Sequence, residues 1–360
     1  MKKKLLSVVM SAAIIAGVLA ACGETATAPA PVESEVTTEA PAAEATEAVE
    51  AVESGAEEAT TEEVAAEGTV QDRAGNDIVI PETVDSIISM APSITRTLID
   101  FGLADKIVAC DTYSYGSYGS VLKEDIPQFD MMAPDQEAIV MLGADLVLTS
   151  GMSAAHGNDV FESVKEAGVC VADIPSSASI EDIKKDILFI GQCVGKDSEA
   201  ETVCKNMDEA IATISDLAAQ IPEEERKTVL FELYTPSAEN PVIYTAGNGT
   251  YINEMLEIIG AKNVAAEETD QWPALNEEAA VLMNPDVILT ADMYTPDVIN
   301  TILTMEGWEN VNAIVNKEVY EIDSDSVNQP NEHVISAMVA MAKAIYPDVF
   351  AAVEDPFDGE

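Results

Sequence analysis

Apolar and polar positions change period again and again along this chain. Short apolar runs at Ile87–Met90, Lys106–Cys110, Val169–Ile174, Thr228–Leu233, Val242–Thr245, Val287–Thr290 and Val319–Ile322 have the length and branched content of buried strands. Between them the apolar positions return every three or four residues, as at 180, 183, 187, 190 and 194, which predicts a helix over Ser179–Cys193. Further helices are predicted from Pro92–Ser93 to Gly102, with Ser93 as N-cap, and over Asp159–Ala167, Pro296–Met305 and Glu332–Tyr346. The longest pattern places Val203, Met207, Ile211, Ile214, Leu217 and Ile221 on one face until Pro222, behind a capping-box sequence at Ser198–Glu201. Strand and helix alternate almost throughout. The fold class is therefore α/β, with mostly parallel sheets covered on both faces.

One stretch is written twice. Asp135–Ser150 reads DQEAIVMLGADLVLTS and Asn276–Ala291 reads NEEAAVLMNPDVILTA, aligning without a gap. Each predicts a short amphipathic helix with a glutamate in its first turn, Glu137 or Glu278, then a tight turn and a buried strand. A single wide repetition is not a solenoid, which stacks several short repeats. It predicts two related lobes, and the long helix falls between them.

Aromatic residues gather at predicted strand ends. Lys106–Cys110 runs into DTYSYGSYGS, read as a loop carrying Tyr113, Tyr115 and Tyr118, while Tyr234, Trp272 and Tyr294 follow or precede strands of the second half. Open α/β sheets hold ligands outside the carboxyl ends of their strands, so these side chains are candidate contacts for something large and partly apolar. The glycines of that loop lack a P-loop lysine, which argues against phosphate cradling. At the start of this region TVQDRAGNDIVIP predicts a hairpin turning at Ala74–Asn76.

Charge narrows the partners. The net charge is −49, and Gly23–Gly68 contains thirteen glutamates without a lysine or arginine. Nucleic-acid binders gain affinity by neutralising phosphates with Lys and Arg, so nucleic acid is excluded as a partner. The 23–68 stretch has too little bulky apolar surface to offset ordering entropy and reads as a disordered acidic tether. Ahead of it, lysines at 2, 3 and 4, an apolar run from Leu5 to Val18 and the sequence Leu-Ala-Ala-Cys ending at Cys22 have the order of an export signal. The last four residues resemble a bacterial lipobox, which makes Cys22 the lipidated mature N-terminus. Of the other cysteines, Cys110 and Cys170 sit in apolar runs as buried thiols, and the spacing leaves open whether Cys193 and Cys204 pair.

A hydrolase reading competes. The strand ending at Ser150 enters Gly151-Met152-Ser153-Ala154-Ala155, close to a nucleophile elbow, and His333 follows in the right chain order. The fifth position is Ala rather than Gly, and only His156 and His333 could serve as base. A small-residue turn explains the same sequence.

Taken together, the lipobox, the acidic tether, the opening TVQDRAGNDIVIPETVDSIISMAPSITRTLIDFGLADKIVACD and WPALNEEAAVLMNPDVILT resemble the class III solute-binding lipoproteins of ABC importers, which serve iron-siderophore, haem and cobalamin uptake. The resemblance covers Thr69–Phe350. It implies two Rossmann-like α/β lobes bridged by a single long α-helix, with the ligand in the cleft between them. Expected boundaries are a signal peptide over 1–21, the tether over 22–68, an N-terminal lobe over 69–196, the bridging helix over 197–225 and a C-terminal lobe over 226–360. It implies a monomer, not an enzyme and without a cofactor, held by lipid on the outer face of the cell membrane and delivering a metal chelate to an ABC permease. Glu137 and Glu278 match the family's permease-docking glutamates. The expected ligand contacts are Tyr113, Tyr115, Tyr118, Met132, Met152, Tyr234, Trp272 and Tyr294. Arg73, Arg96 and Arg226 are the only arginines of the globule and are spread along the sequence, which favours a neutral or cationic chelate, a ferric hydroxamate or a corrinoid, over an anionic one. Haem stays open, with Met131, Met132, a tyrosine or His333 as axial ligands.

Overall fold

A computed structural model describes residues 68–152, 157, 159–237 and 240–358 of the chain. The leader, the acidic tether, Cys22, Ser153 and His156 lie outside the described residues. Among those described, no helix is long and apolar enough to cross a membrane.

The chain opens with the antiparallel hairpin of β1 (Thr69–Gln71) and β2 (Asp77–Val79). Its turn is organised by Asp72, whose Oδ1 accepts from the N–H groups of Ala74 and Asn76. The other oxygen accepts from the Asp173 N–H at 3.0 Å, which pins the hairpin to the sheet that follows. That sheet is built from β3 (Ile87–Met90), β4 (Ile107–Asp111), β5 (Gln128–Phe129), β6 (Leu146–Thr149) and β7 (Cys170–Asp173). All four pairings are parallel, in the order β5-β4-β3-β6-β7. Parallel neighbours need crossovers, and the helices Pro92–Asp100, Gln136–Leu142 and Glu162–Glu166 supply them. Every residue of β3 and β6 is buried, as a strand covered on both faces requires.

Helix Ile180–Val194, capped by Ser179 accepting from the Asp182 N–H, leads into the long helix Asp197–Ala218. The two pack closely because Gly191 faces Ala200; a Cβ there would lie 2.6 Å from the alanine's own. The expected capping box is not used. The long helix begins two residues earlier than that box requires, at Asp197 behind Lys196 as N-cap, and no side chain caps it. The first helix likewise starts at Pro92 behind Ala91 rather than from Ser93, since proline fixes the φ that a first helical residue needs.

The second lobe contains β8 (Thr228–Glu232), β9 (Val242–Tyr244), β10 (Lys262–Asn263), β11 (Ala274–Asn276), β12 (Val287–Thr290) and β13 (Val319–Glu321). Four of them form a parallel sheet in the order β10-β8-β12-β13, and β9 and β11 pair antiparallel beside it. The long helix joins the two lobes. One continuous core runs through Leu98, Ile187, Met207, Leu256, Met341 and Phe350, taking in both lobes and the helix between them. Two further clusters fill the outer sides, around Phe161 in the first lobe and Trp308 in the second. Cys110, Cys170, Cys193 and Cys204 are free thiols, and burial pushes Cys193 up to about 12, so it stays protonated.

Candidate functional site

The carboxyl ends of both parallel sheets carry the residues that face the inter-lobe cleft. On the first lobe a cavity of about 160 Å³ is bounded by the start of helix Pro92–Asp100, by Met131, by Ser150 and Met152 after β6, and by Ile174–Ser176 after β7. On the second lobe a cavity of about 410 Å³ is bounded by Leu233–Tyr234 after β8, Gly249–Tyr251, and Gln271–Trp272 ahead of β11. Ser176, Asn328 and Pro330 line both, so the two cavities meet across one polar and proline ridge.

The second-lobe wall is held by its backbone. Thr245 N–H donates to Pro273 at 3.1 Å and Gly247 N–H to Gln271 at 2.8 Å, which presents Trp272 beside the cavity at 45% exposure. Gly247 has to be glycine for this, because a Cβ would stand 2.5 Å from the Asp270 carbonyl oxygen. Asp292, after β12, organises the opposite edge. It accepts from the N–H groups of Thr235 at 3.0 Å and Tyr294 at 2.8 Å, clamping the two loops so that the rings of Tyr234 and Tyr294 stack 6.1 Å apart. Burial raises the Asp292 pKa, but the hydrogen bonds from Thr295, Thr235 and Tyr294 outweigh it and leave the group below its ordinary value. The Tyr234 phenol is pushed up by burial and further by Tyr294, Asp292 and Tyr113. Tyr113 belongs to the first lobe, so aromatic side chains of both lobes come within electrostatic reach of each other.

The sequence-predicted contacts separate into three groups. Tyr234 and Trp272 line the second-lobe cavity, Tyr294 stacks on Tyr234, and Met152 lines the first. Tyr113 and Met132 are exposed nearby, but neither lines these cavities. Tyr118 departs from expectation: it is buried, donates its hydroxyl to Gln329, and burial pushes its pKa up. Tyr115 is half-buried against the main core. The reason is that DTYSYGSYGS is not a loop. Asp111 accepts from the N–H groups of Tyr113 and Ser114 and caps a helix, Thr112–Tyr118, which turns Tyr115 and Tyr118 inward. Ser176 and Pro330 lie in loops, and Asn328 ends the five-residue helix Ser324–Asn328, so no periodic pattern in the sequence singles these three out.

Charge is sparse in the cleft. Among the described residues lining the two cavities there is no lysine, arginine or histidine; the one charged residue is Asp186, bound by Arg73 and Ser177. Arg96 pairs with Asp100 at 2.8 Å and Arg226 with Glu223 at 3.3 Å. His333 precedes helix Val334–Ile345, and its Nε2 lies 2.9 Å from Asp100. Asp100, Glu332 and His333 bring ligand atoms within 4.8 Å of one another and could approach a cation. Arg96, already bound to Asp100, supplies positive charge there instead. Glu332, fully buried, is pushed up to about 8 by burial and then by Asp100, and Thr97 donates to it at 2.8 Å. This cluster ties the first lobe to the C-terminal helix.

Glu137 and Glu278 are exposed on the two repeat helices, Gln136–Leu142 and Glu277–Met283, away from the cavities.

A family model described as periplasmic binding protein matches residues 87–326. The uncharacterized ABC transporter substrate-binding lipoprotein YvrC of Bacillus subtilis (strain 168) is 32% identical over 282 residues, covering 78% of this chain and 86% of that protein. A cobalamin-binding protein of Halobacterium salinarum (strain ATCC 29341 / DSM 671 / R1) is 25% identical, covering 77% and 74%. A crystal structure of a possible iron-binding (periplasmic solute-binding) protein from Staphylococcus epidermidis ATCC 12228 superposes with a TM-score of 0.60 at 27% identity, covering 74% of this chain and all of that one.

Proposed function

The chain belongs to the periplasmic binding protein family and is a substrate-binding protein of an ABC importer; from that premise we propose that its cargo is a large, uncharged or cationic metal chelate of the corrinoid or ferric-hydroxamate kind. The observation that carries this reading is the pair of cavities meeting at Ser176, Asn328 and Pro330, with aromatic and small polar walls and, among the described residues, no basic side chain. A strongly anionic chelate would find no cation there to replace its hydration, and burying an unpaired charge is costly. Flat apolar faces with a few polar edges suit the Tyr234, Trp272 and Tyr294 surface. The cobalamin-binding relative supports the corrinoid form of the proposal.

Trp272 makes the test direct, because it borders the cavity while Trp308 is fully buried in the outer core. Tryptophan emission is titrated with cyanocobalamin, a ferric hydroxamate, a ferric catecholate and haem. Saturable quenching by one of the first two, lost in Trp272→Phe, is expected. Tight binding of the catecholate or haem alone would overturn the proposed cargo.

Two further assignments complete the reading. Lipid on Cys22 holds the protein at the outer face of the membrane; palmitate labelling that persists in Cys22→Ala would sink that assignment. Glu137 and Glu278 contact the permease, each through a cationic side chain of the membrane protein.

A further inference from the structure

The two repeat helices match in more than their glutamates. Each is seven residues long, and each is capped by a side chain, Asp135 accepting from the Ala138 N–H and Asn276 from the Ala279 N–H. Each ends on a left-handed residue, Gly143 or Asn284, and buries one residue mid-helix, Ile139 at 1% and Ala280 at 0% exposure. Four residues after each glutamate comes a large apolar side chain, Met141 or Leu282. Side chains four apart share a helix face, so each helix presents a carboxylate and an apolar side chain next to each other.

Met141 is 86% exposed and Leu282 78%, the two highest values among the described large apolar residues. A single exposed leucine needs no explanation. The coincidence does: the two most exposed apolar side chains occupy the same position of the two copies, each beside an exposed glutamate. Neither makes enough contact to serve the fold, so the fold does not account for keeping both apolar. A partner that meets the two helices alike does.

We propose that Met141 and Leu282 are twin apolar anchors of the permease-docking surface, each entering an apolar recess beside the cation that receives Glu137 or Glu278. The proposal rests on the docking reading and deepens it. The partner it commits to is the membrane permease, presenting the same basic-rimmed recess twice at the spacing of the two lobes. Charge complementarity argues for it, since an acidic protein that offers one carboxylate per lobe calls for basic rims. The two components divide the work: exposed charges govern encounter rate and salt dependence, and a desolvated apolar anchor governs the lifetime of the complex.

The test uses the full chain and its cognate ABC permease in nanodiscs, with affinity and dissociation rate measured over a range of salt. Met141→Ser and Leu282→Ser are each expected to weaken binding about tenfold, the loss for leaving one large apolar side chain unburied, and the double variant about a hundredfold. The loss should appear as faster dissociation with an unchanged salt slope, and thermal melting should not move. Glu137→Ala with Glu278→Ala should instead flatten the salt slope and slow association. The exchange Met141→Leu with Leu282→Met should retain affinity. If the serine pair binds like the parent while the alanine pair is weakened, the anchors are wrong and the docking reading stands. If both pairs bind like the parent, the docking reading falls and the anchors with it.

Discussion

The two copies of the repeat are alike at one end and different at the other. Their caps, first-turn glutamates, exposed apolar side chains and left-handed ends coincide, and both strands are buried along their length. Past the strands they part. After Thr149 the chain continues into Gly151, with φ +63° and only Asp173 close by, and then Met152. After Thr290 it continues into Asp292, which is buried and clamps the loop that carries Tyr294. The helices look away from the cleft and the strand ends look into it. A repeated exterior fits a partner that presents one surface twice, whereas a divergent interior fits a ligand without that symmetry.

The sharpest internal difference lies one strand over. Met90 of β3 pairs with Thr149 of the first copy, and Glu232 of β8 pairs with Thr290 of the second. Both are fully buried. Among the described residues both carboxylate oxygens of Glu232 lack a partner, and burial, with Asp292 and Glu277 adding to it, pushes the group up to about 8. The sign follows from linkage. Below about pH 4.5 folded and unfolded chains are both protonated there, so nothing is lost. As pH rises from 4.5 towards 8 the unfolded chain ionises while the folded one resists, and stability falls across that window. Installing the first lobe's solution, Glu232→Met, should remove a fall of about 3–5 kcal/mol, at roughly 1.4 kcal/mol per pH unit. Urea unfolding at pH 5 and pH 8 measures it. Glu332, also raised to about 8, keeps part of the slope in the variant. Equal stability of parent and variant at pH 8 would mean that Glu232 is solvated or paired, and the contrast between the lobes would fail.

Much of this architecture is legible in the sequence because it is carried by local pattern. Ile87–Met90 and Val287–Thr290 are strands at their predicted bounds, and the apolar stripe from Val203 to Leu217 does form the joining helix, which ends at Ala218, short of Ile221 and of the expected bound at 225. What escaped the sequence depends on contacts between distant segments. Glu232 lies inside the apolar run Thr228–Leu233, and no local pattern tells that its carboxylate is fully buried; its tertiary surroundings decide that. Asp111 followed by Thr, Tyr and Ser is a helix-start signal, but the glycines after it suggested a loop. The placement of Tyr115 and Tyr118 was lost with that reading. Ser176, Asn328 and Pro330 come together from segments far apart in the chain, and no spacing rule connects them.

The smallest effects should separate the tyrosines of the two lobes. Tyr294 is 69% exposed and touches Tyr234, so Tyr294→Ala should change stability by less than about 0.5 kcal/mol, as surface substitutions do. It should still weaken cargo binding by about 1 kcal/mol, near the value of one aromatic pair. Tyr118→Phe should do the reverse. It removes the hydroxyl that Gln329 accepts, for about 1 kcal/mol of stability, and leaves cargo affinity unchanged, because Tyr118 lines neither of the two cargo cavities and borders a separate one with Arg96 and His333. Unfolding curves and chelate titrations on the same two variants check both halves. A Tyr118→Phe variant that lost affinity without losing stability would move the binding surface onto the first lobe. The aromatic wall of the second lobe would then be ordinary surface, since an exposed stacked pair that binds nothing has no other work in the fold.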